Sequence, residues 1–585
     1  MVSLSHDPVP HYYALSYACG VAVATERISV NNATLAITSN LERALRYLRR
    51  SNPQVYWIDA ICIHQDNTEE KLQQIRLMSN IYRRALLVCI WLGEPSAISS
   101  LGMTLIGGVK GDPYEWLCEQ TLNAEFVLEC AQALQGILSR PWWARLWTTQ
   151  EFALATASVF VCGWDFFDSN QLVKTKTFTN IVVDLLFHGL SENSLKLLYE
   201  LHLNSLNQTG IIKELCDSMW SRELEETAAI FARILVQCAT RQCSDDRDRV
   251  FAMLGLCPEP VALSISADYD NTVEEVFQNL AKNLIPHLPS LLVLAMAGLG
   301  HQIEQNLPSW VPDLRVHQGN LQNTWYVDHI ATSFRTTADK WWACRFEDKQ
   351  LVVKGVRIGS IPAVGLGMVC RAGETFSAPT LILECRAELH RVFQSWTALC
   401  DVVTREKGAE IYHNGSTKAE AFYRTVHGDV HITVSNRGDY EVVRLQASDV
   451  QAIVQNADWV EELSRHHEEK VEEKGGRSTP YADQRRLFVT DTGYFGNGGR
   501  FIESNDQVFV IMGCQYPAIL RPMDASPQCT RYRLVDTCYL HGVMEGELFD
   551  GVQFTGKPKD GETTKAYLER VEELGKRTMG PIYLC

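Results

Sequence analysis

Residues Tyr56–Gly93 read YWIDAICIHQDNTEEKLQQIRLMSNIYRRALLVCIWLG, and this stretch decides the fold. Two short apolar runs flank an amphipathic segment. The first, Val55-Tyr56-Trp57-Ile58, stops at Asp59; the second, Leu86 to Leu92, stops at Gly93 and Glu94. Both are of strand length, nearly continuous in hydrophobicity and rich in β-branched and aromatic residues, as in a parallel strand covered on both faces. Between them Leu72, Ile75, Met78, Ile81 and Ala85 recur at helical spacing, with charged and amide side chains mostly off that stripe. Asn67 followed by Glu70 predicts a helix start with a reciprocal cap. The segment therefore reads as strand, crossover helix, strand, the unit of an α/β sheet. The two strands are expected side by side and parallel. Their carboxyl ends, at Asp59 and Glu94, lie where open sheets of this kind take ligands.

Working outward, Tyr12–Tyr17 (YYALSY) reads as a strand, and Leu41, Ala44, Leu45 and Leu48 as a helix capped by Ser39 or Asn40. Residues 124–139 are helical. Arg140-Pro141-Trp142-Trp143-Ala144-Arg145-Leu146-Trp147 follows, with Pro141 breaking the helix and Glu151 one turn beyond Trp147 on the next. With a strand at Ala157–Cys162, residues 1–165 form one α/β domain. Residues 166–340 are expected to be a helical region, clearest at Val273–Leu284. Residues 341–550 read as a β-rich region with a helical and polar insert near 381–477, whose run His466–Gly476 is a solvated charge run. Residues 551–585 are expected as a tail helix. The glycine-rich stretch Gly493–Gly499 lacks a following Gly-Lys-Ser/Thr and reads as meander turns, not a phosphate cradle.

At 585 residues the chain is too long for one core, and its 46% hydrophobic and 21% charged fractions are those of a globular protein. A net charge of -16 argues against a nucleic-acid or anionic-membrane surface. None of the 18 cysteines forms a C-x-x-C pair or a zinc-finger spacing; most sit in apolar runs, such as Cys62, Cys89, Cys162 and Cys514, as small hydrophobes. A reducing, cytoplasmic location is expected. The start of the chain lacks a signal-peptide pattern, and no apolar stretch approaches the ~20 residues of a membrane span. His427 and His431 are spaced i, i+4, but Gly428 and Val430 favour a hairpin over a metal-binding helix. Asp245, Asp246, Arg247, Asp248 and Arg249 are expected to form interdomain ion pairs. There is no G-x-S-x-G elbow, kinase set, Walker motif or H-E-x-x-H.

Taken in order, YYALSYACG (12–20), TSNLERALRYLR (38–49), the 56–93 stretch and RPWWARLWTTQEFALA (140–155) resemble the motifs of the fungal heterokaryon incompatibility (HET) domain. DDRDRVFAMLGL (245–256), ADYDNTVEEVF (267–277), LPSWVPDLR (307–315), SNDQVFVIMG with PAILR (504–521) and YLHGVMEGE (539–547) look like longer members of that family. Two departures stand out. Cys19 occupies a position that is usually a bulky aromatic, and only Met1–His11 precede the YALSY element, which suggests a shortened start.

The resemblance implies a Toll/interleukin-1 receptor (TIR)-like, flavodoxin-type parallel sheet and a part in non-self recognition and programmed cell death. Its partner would be an unknown protein or a second copy, with no nucleic acid and no transmembrane segment. Some TIR domains hydrolyse NAD with a glutamate four residues after a tryptophan, a spacing matched by Trp147 and Glu151. No cofactor or metal is implied, and NAD enters as a substrate. On that reading Glu151 is catalytic, with Trp147 as a stacking wall. Asp59 and Ser16 hold ribose, and Arg140 or Arg145 meets pyrophosphate. The alternatives stay open: core tryptophans at 142, 143 and 147, Glu151 paired with Arg145 or Arg140, a structural Asp59, and a non-catalytic assembly module.

Overall fold

The computed structural model describes residues 11–20, 25–49, 54–64, 67–107, 124–172, 206–219, 222–298, 306–315, 344–367, 390–402, 405–434, 440–455, 485–525, 530–549 and 580–585. The chain divides into two compact units, 1–276 and 277–585. The first therefore takes in the α/β sheet together with much of the helical stretch that follows it.

The first unit is built on a five-stranded sheet of β1 (Tyr13–Tyr17), β4 (Tyr56–Trp57), β5 (Leu87–Gly93), β6 (Ser158–Cys162) and β7 (Asp165–Asp168). A separate hairpin, β2 (Glu26–Val30) with β3 (Ala33–Ile37), lies outside it. The sheet order is β4-β1-β5-β6-β7, with the first four strands parallel and β7 antiparallel at the edge. The two runs around the crossover helix are thus parallel, but they are not neighbours. β1 lies between them and pairs with both, Tyr13 opposite Tyr56 on one side and Leu87 on the other. The expectation of adjacency fails because local hydrophobicity marks a strand without naming its partner.

The crossover helix spans Thr68–Arg84. The Asn67 side chain caps it by accepting the Glu70 N–H at 3.1 Å, while Glu70 reaches back to the His64 N–H rather than to Asn67. The cap is real and the reciprocal box is not. Ile75, Met78, Ile81 and Ala85 are buried, joined by Tyr82. A fully buried Ile or Met side chain contributes roughly 1.5–3 kcal/mol. Tyr12 fastens the helix to the sheet through a 2.6 Å bond from its hydroxyl to the Ile81 carbonyl.

Helix Ser39–Leu48 covers the opposite face, packing Leu41, Ala44 and Leu48 on Leu15, Tyr17, Cys89 and Trp91. Its cap is Thr38, not Ser39 or Asn40. Asn40 is drawn elsewhere: its amide donates to the Ala18 carbonyl at 2.6 Å and accepts the Trp91 indole N–H at 3.0 Å, joining the ends of β1 and β5.

In the second unit a ring of strands closes on itself. β9 (Gln350–Ser360), β15 (Gln507–Ile511), β16 (Ala518–Ala525), β17 (Thr530–Thr537) and β19 (Gly580–Leu584) pair in the cycle β15-β16-β17-β19-β9, and β9 returns to β15. Val356, Ile358, Val508, Val510, Ile519 and Val535 form part of its apolar core. Closure removes the exposed edges of an open sheet.

A second sheet contains β13 (Arg485–Val489) and β14 (Phe495–Gly499). Gly496–Gly499 thus belong to a strand, correcting their reading as turns. The reason is contact: a Cβ on Gly496 would lie 2.2 Å from the Phe488 ring. The described part of the insert is ordered structure, helix Lys418–His427 and the hairpin Val430–Val434 with Tyr440–Arg444. His427 ends that helix and His431 stands in the hairpin, as the glycine between them predicts. The charge run His466–Gly476 and residues 551–579 of the expected tail helix lie outside the described residues. Residues 580–584, assigned above to a tail helix, are instead barrel strand β19.

Among the described residues no helix is long and apolar enough to cross a membrane. Cys62, Cys162, Cys238 and Cys538 are free thiols.

Candidate functional site

From β1 the chain moves to one side of the sheet to form β4, then to the other to form β5 and β6. The order therefore reverses beside β1, and the carboxyl ends of β1 and β5 flank the crevice such a reversal opens. After β1 the chain turns through Gly20, whose φ of +72° suits glycine. β4 ends at Trp57, two residues before Asp59, which opens the short helix Asp59–Cys62, and β5 ends at Gly93.

Alternation along β1 sends Leu15 and Tyr17 to the face of helix Ser39–Leu48 and Ser16 to the other face. There Ser16, fully buried, meets the proline-tryptophan turn: the Trp142 indole donates to its hydroxyl at 2.7 Å. Pro141 opens the short helix Pro141–Ala144, whose end turns the chain into helix Trp147–Ala153. This second helix carries Glu151.

Glu151 is 3% exposed, and its Oε2 has no hydrogen-bond partner. Burial pushes its carboxyl up from 4.5 to about 7. Arg145 opposes that rise, Asp59 reinforces it, and the facing hydroxyls of Ser16 and Tyr82 oppose it. Burial raises Asp59 as well, against the pull of Arg145, the Ala60 N–H and the Tyr17 hydroxyl. The Ala60 bond is 2.7 Å long. Arg145 donates to the Tyr17 carbonyl at 2.7 Å. Burial would lower its guanidinium, but Cys19, Glu151, Asp59 and Tyr17 together hold it above its ordinary value. The Cys19 thiol beside them is pushed up by burial.

One cation thus faces two carboxyls, that of Glu151 buried and that of Asp59 partly so. It compensates one negative charge, so near neutrality the pair retains a proton. A carboxyl that titrates near 7 can exchange that proton at physiological pH, as a general base or acid must. Glu151 is also the third of three consecutive buried residues with an unsatisfied side-chain atom, after Thr149 Oγ1 and Gln150 Nε2. Unsatisfied buried polar groups are rare and call for an explanation.

The structure thus brings together Ser16, Asp59, Arg145 and Glu151. The other two make contacts of their own. Arg140 stands over the end of β5, its Nε bonded to the Gly136 carbonyl and its Nη1 2.9 Å from where a Cβ on Gly93 would be. Glu94, the neighbouring strand-end acid, is exposed and paired with Arg43 at 2.9 Å. Trp147 gives its indole N–H to Asp248 at 3.1 Å. Among the described residues the acidic motif around Asp248 forms local ion pairs in place of the expected interdomain ones, Asp245 with Arg247 at 2.7 Å and Asp246 with Arg249 at 3.0 Å.

Sequence reasoning passed over Tyr17, Tyr82 and Trp142 as parts of the site. Tyr82 was within reach, since it adjoins Ile81 on the buried stripe of the crossover helix. Trp142 was not, because nothing local indicates that its partner is Ser16.

Residues 12–151 match the family model described as heterokaryon incompatibility protein (HET), and residues 439–553 match that of the Het-6 beta-barrel domain. The chain is 26% identical to "Heterokaryon incompatibility protein 6, OR allele" of Neurospora crassa, over 93% of this chain and 91% of that protein. No solved structure matches it. The first match ends at Glu151. The second omits β9 and β19, two of the strands that close the barrel.

Proposed function

We propose, from the premise that the chain carries a HET domain and a Het-6 beta-barrel domain, that it acts in fungal heterokaryon incompatibility and that its first unit brings about cell death by hydrolysing NAD. The observation that carries the chemistry is the Glu151 carboxyl, 3% exposed, poised near neutral pH and set beside Asp59 and Arg145 where the strand order reverses. The four parallel strands, numbered among themselves in chain order, run 2-1-3-4, the flavodoxin-type order that a TIR-like fold shares.

In this reading the bond from ribose C1′ to the nicotinamide nitrogen breaks, and its electron pair neutralises the departing pyridinium. The ribose develops oxocarbenium character, which the ionised Glu151 stabilises. Water adds at C1′ and its proton passes to Glu151 and on to solvent. The products are nicotinamide, ADP-ribose and a proton. Asp59 holds ribose hydroxyls, the Trp147 ring bounds the nicotinamide side, and Arg140 meets the pyrophosphate. Arg145 is already committed to Tyr17 and the two carboxyls. Ser16, wholly enclosed, supports Glu151 instead of binding ribose.

Because Glu151 is enclosed, substrate entry requires the site to open, and self-association is the proposed trigger. The test is nicotinamide release from NAD by the purified full chain, alone and after forced oligomerisation through a fused assembly tag, with Glu151→Gln as control. Release that the variant lacks supports the reading. Equal release by the variant removes Glu151 from the chemistry.

A second reading, a non-catalytic module acting through self-association or partner binding, is favoured by Trp164 and Phe166. They are 67% and 71% exposed, Trp164 in the turn between β6 and β7 and Phe166 on the edge strand β7. Aromatic groups that open to solvent at a sheet edge are apt for pairing with another chain. No nicotinamide release in either state, with toxicity lost on Trp164→Ser and Phe166→Ser, would establish it.

A further inference from the structure

Helix Trp147–Ala153 is seven residues long, and Leu146 at its N-cap makes no side-chain capping bond. A helix this short does not hold its own orientation in water. A distant run of chain holds it instead. Before the helix, the Leu146 N–H donates to the Gln242 carbonyl at 2.9 Å and the Gln242 N–H to the Ala144 carbonyl at 2.6 Å. Within it, the Gln150 side chain accepts the Gly255 N–H at 3.1 Å. At its start, the Trp147 indole donates to Asp248 Oδ2 at 3.1 Å, across 101 positions.

Asp248 is the centre of this arrangement. It is 9% exposed, and its other oxygen accepts the Tyr269 hydroxyl at 2.6 Å. Tyr269 is fixed in turn, its ring centroid 5.1 Å from the Arg247 guanidinium and 5.7 Å from the Lys71 ammonium. Both carboxylate oxygens are therefore committed, one to each ring. Trp147 and Glu151 stand one turn apart on the same side of the helix. Any rotation that moves Glu151 within its pocket must pull the indole off Asp248.

We propose that Asp248 is a positioning residue for Glu151, and that the catalytic unit extends to Tyr269, well past the end of the matched HET segment. Asp248 touches neither substrate nor reacting atoms. Through Trp147 it fixes where the Glu151 carboxyl lies among Arg145, Asp59, Ser16, Tyr82 and Cys19. The inference rests on the catalytic reading of Glu151 only for its turnover readout.

The experiment uses the full chain with Asp248→Ala, Asp248→Asn and Tyr269→Phe. Glu151 ionisation is followed by infrared difference spectra against Glu151→Gln, and turnover by nicotinamide release. In Asp248→Ala the loosened helix admits water, and the Glu151 midpoint falls from about 7 toward 4.5. kcat drops on the order of a hundredfold, as expected when a reacting group is misplaced by about an ångström, with KM little changed. Asp248→Asn keeps one acceptor oxygen and restores most of both readouts. Tyr269→Phe shifts the midpoint in the same direction by a smaller step.

An unchanged midpoint in Asp248→Ala, or an Asn variant as impaired as the Ala variant, overturns the proposal. Should Asp248→Ala fail to fold, Tyr269→Phe decides by the same midpoint. A native chain that never releases nicotinamide overturns the NAD reading alone, since the infrared midpoints still decide the role of Asp248.

Discussion

Trp142 and Ser16 stand 126 positions apart in the chain, yet the indole Nε1 of one donates to the hydroxyl of the other at 2.7 Å. Both are almost completely buried. The bond fastens the proline-tryptophan turn to the end of the central strand. A serine oxygen that accepts the indole N–H still has its own proton to give, and the Glu151 carboxyl is the group it faces.

Removing either partner tests this joint. Ser16→Ala leaves a buried indole N–H without an acceptor, at a cost of about 1–3 kcal/mol in unfolding free energy. Trp142→Phe removes the donor and some packing. In a urea double-mutant cycle the pair is expected to cost less than the sum of the singles by about 1 kcal/mol. Strict additivity would show the contact to be energetically idle.

Glu151 gives stability a pH dependence of defined sign. Its folded-state value, about 7, lies above the ordinary 4.5, so the folded protein binds this proton more tightly than the unfolded chain. The contribution is complete below about 4.5 and lost as pH climbs to about 7. The native chain therefore unfolds more easily at pH 8 than at pH 5, and Glu151→Gln removes up to about 3 kcal/mol of that difference. A residual slope remains from Asp59, which burial also raises. Urea midpoints at the two pH values measure both effects; an unaltered slope in the variant means that another group titrates.

Gly93 is constrained twice. Its φ is +118°, and a Cβ there would lie 2.9 Å from Arg140 Nη1. Gly93→Ala is expected to lower stability by about 1–3 kcal/mol through backbone strain, with a further loss from displacing Arg140. Adding Arg140→Ala recovers only the second part. Complete recovery in thermal unfolding would assign the whole cost to the side-chain clash.

Gly355 lies where β9 meets β15 and the barrel closes. A Cβ at this position would come 2.5 Å from the Val510 carbonyl oxygen, and a backbone atom cannot swing aside. Gly355→Ala is expected to destabilise the second unit by about 1–3 kcal/mol. Faster amide exchange from Val508 to Ile511, with exchange in β1 and β5 unaltered, is the expected signature. Uniform acceleration across the chain would contradict it.

Much of the first unit was legible because its signals are local. The buried stripe Ile75, Met78, Ile81 and Ala85, the Asn67 cap and the buried run Val88–Gly93 of β5 each follow from neighbours within a turn or two. Failures began where a residue answered to something distant. Asn40 resembles a helix cap but is claimed by Ala18 and Trp91, so Thr38 caps instead. Gly496 and Gly498 resemble turn residues, yet both stand in a strand, and Gly496 leaves room for the Phe488 ring. Of the site, the residue types at Ser16, Asp59, Arg145 and Glu151 were legible. Their roles were not, since Ser16 is sealed from solvent and Trp147 answers to Asp248.

By itself the sequence determined the strands β1, β4, β5 and β6, the crossover helix and the parallel sense of the crossover, because periodicity and capping act over a few residues. Only the tertiary structure decided that β1 divides the two crossover strands, that β19 joins the barrel from the far end of the chain, and that the buried Glu151 meets Asp59 and Arg145. The reason is physical. Strand partnership and carboxyl burial depend on contacts between segments far apart in the chain, and no local pattern of side chains records which segments those are.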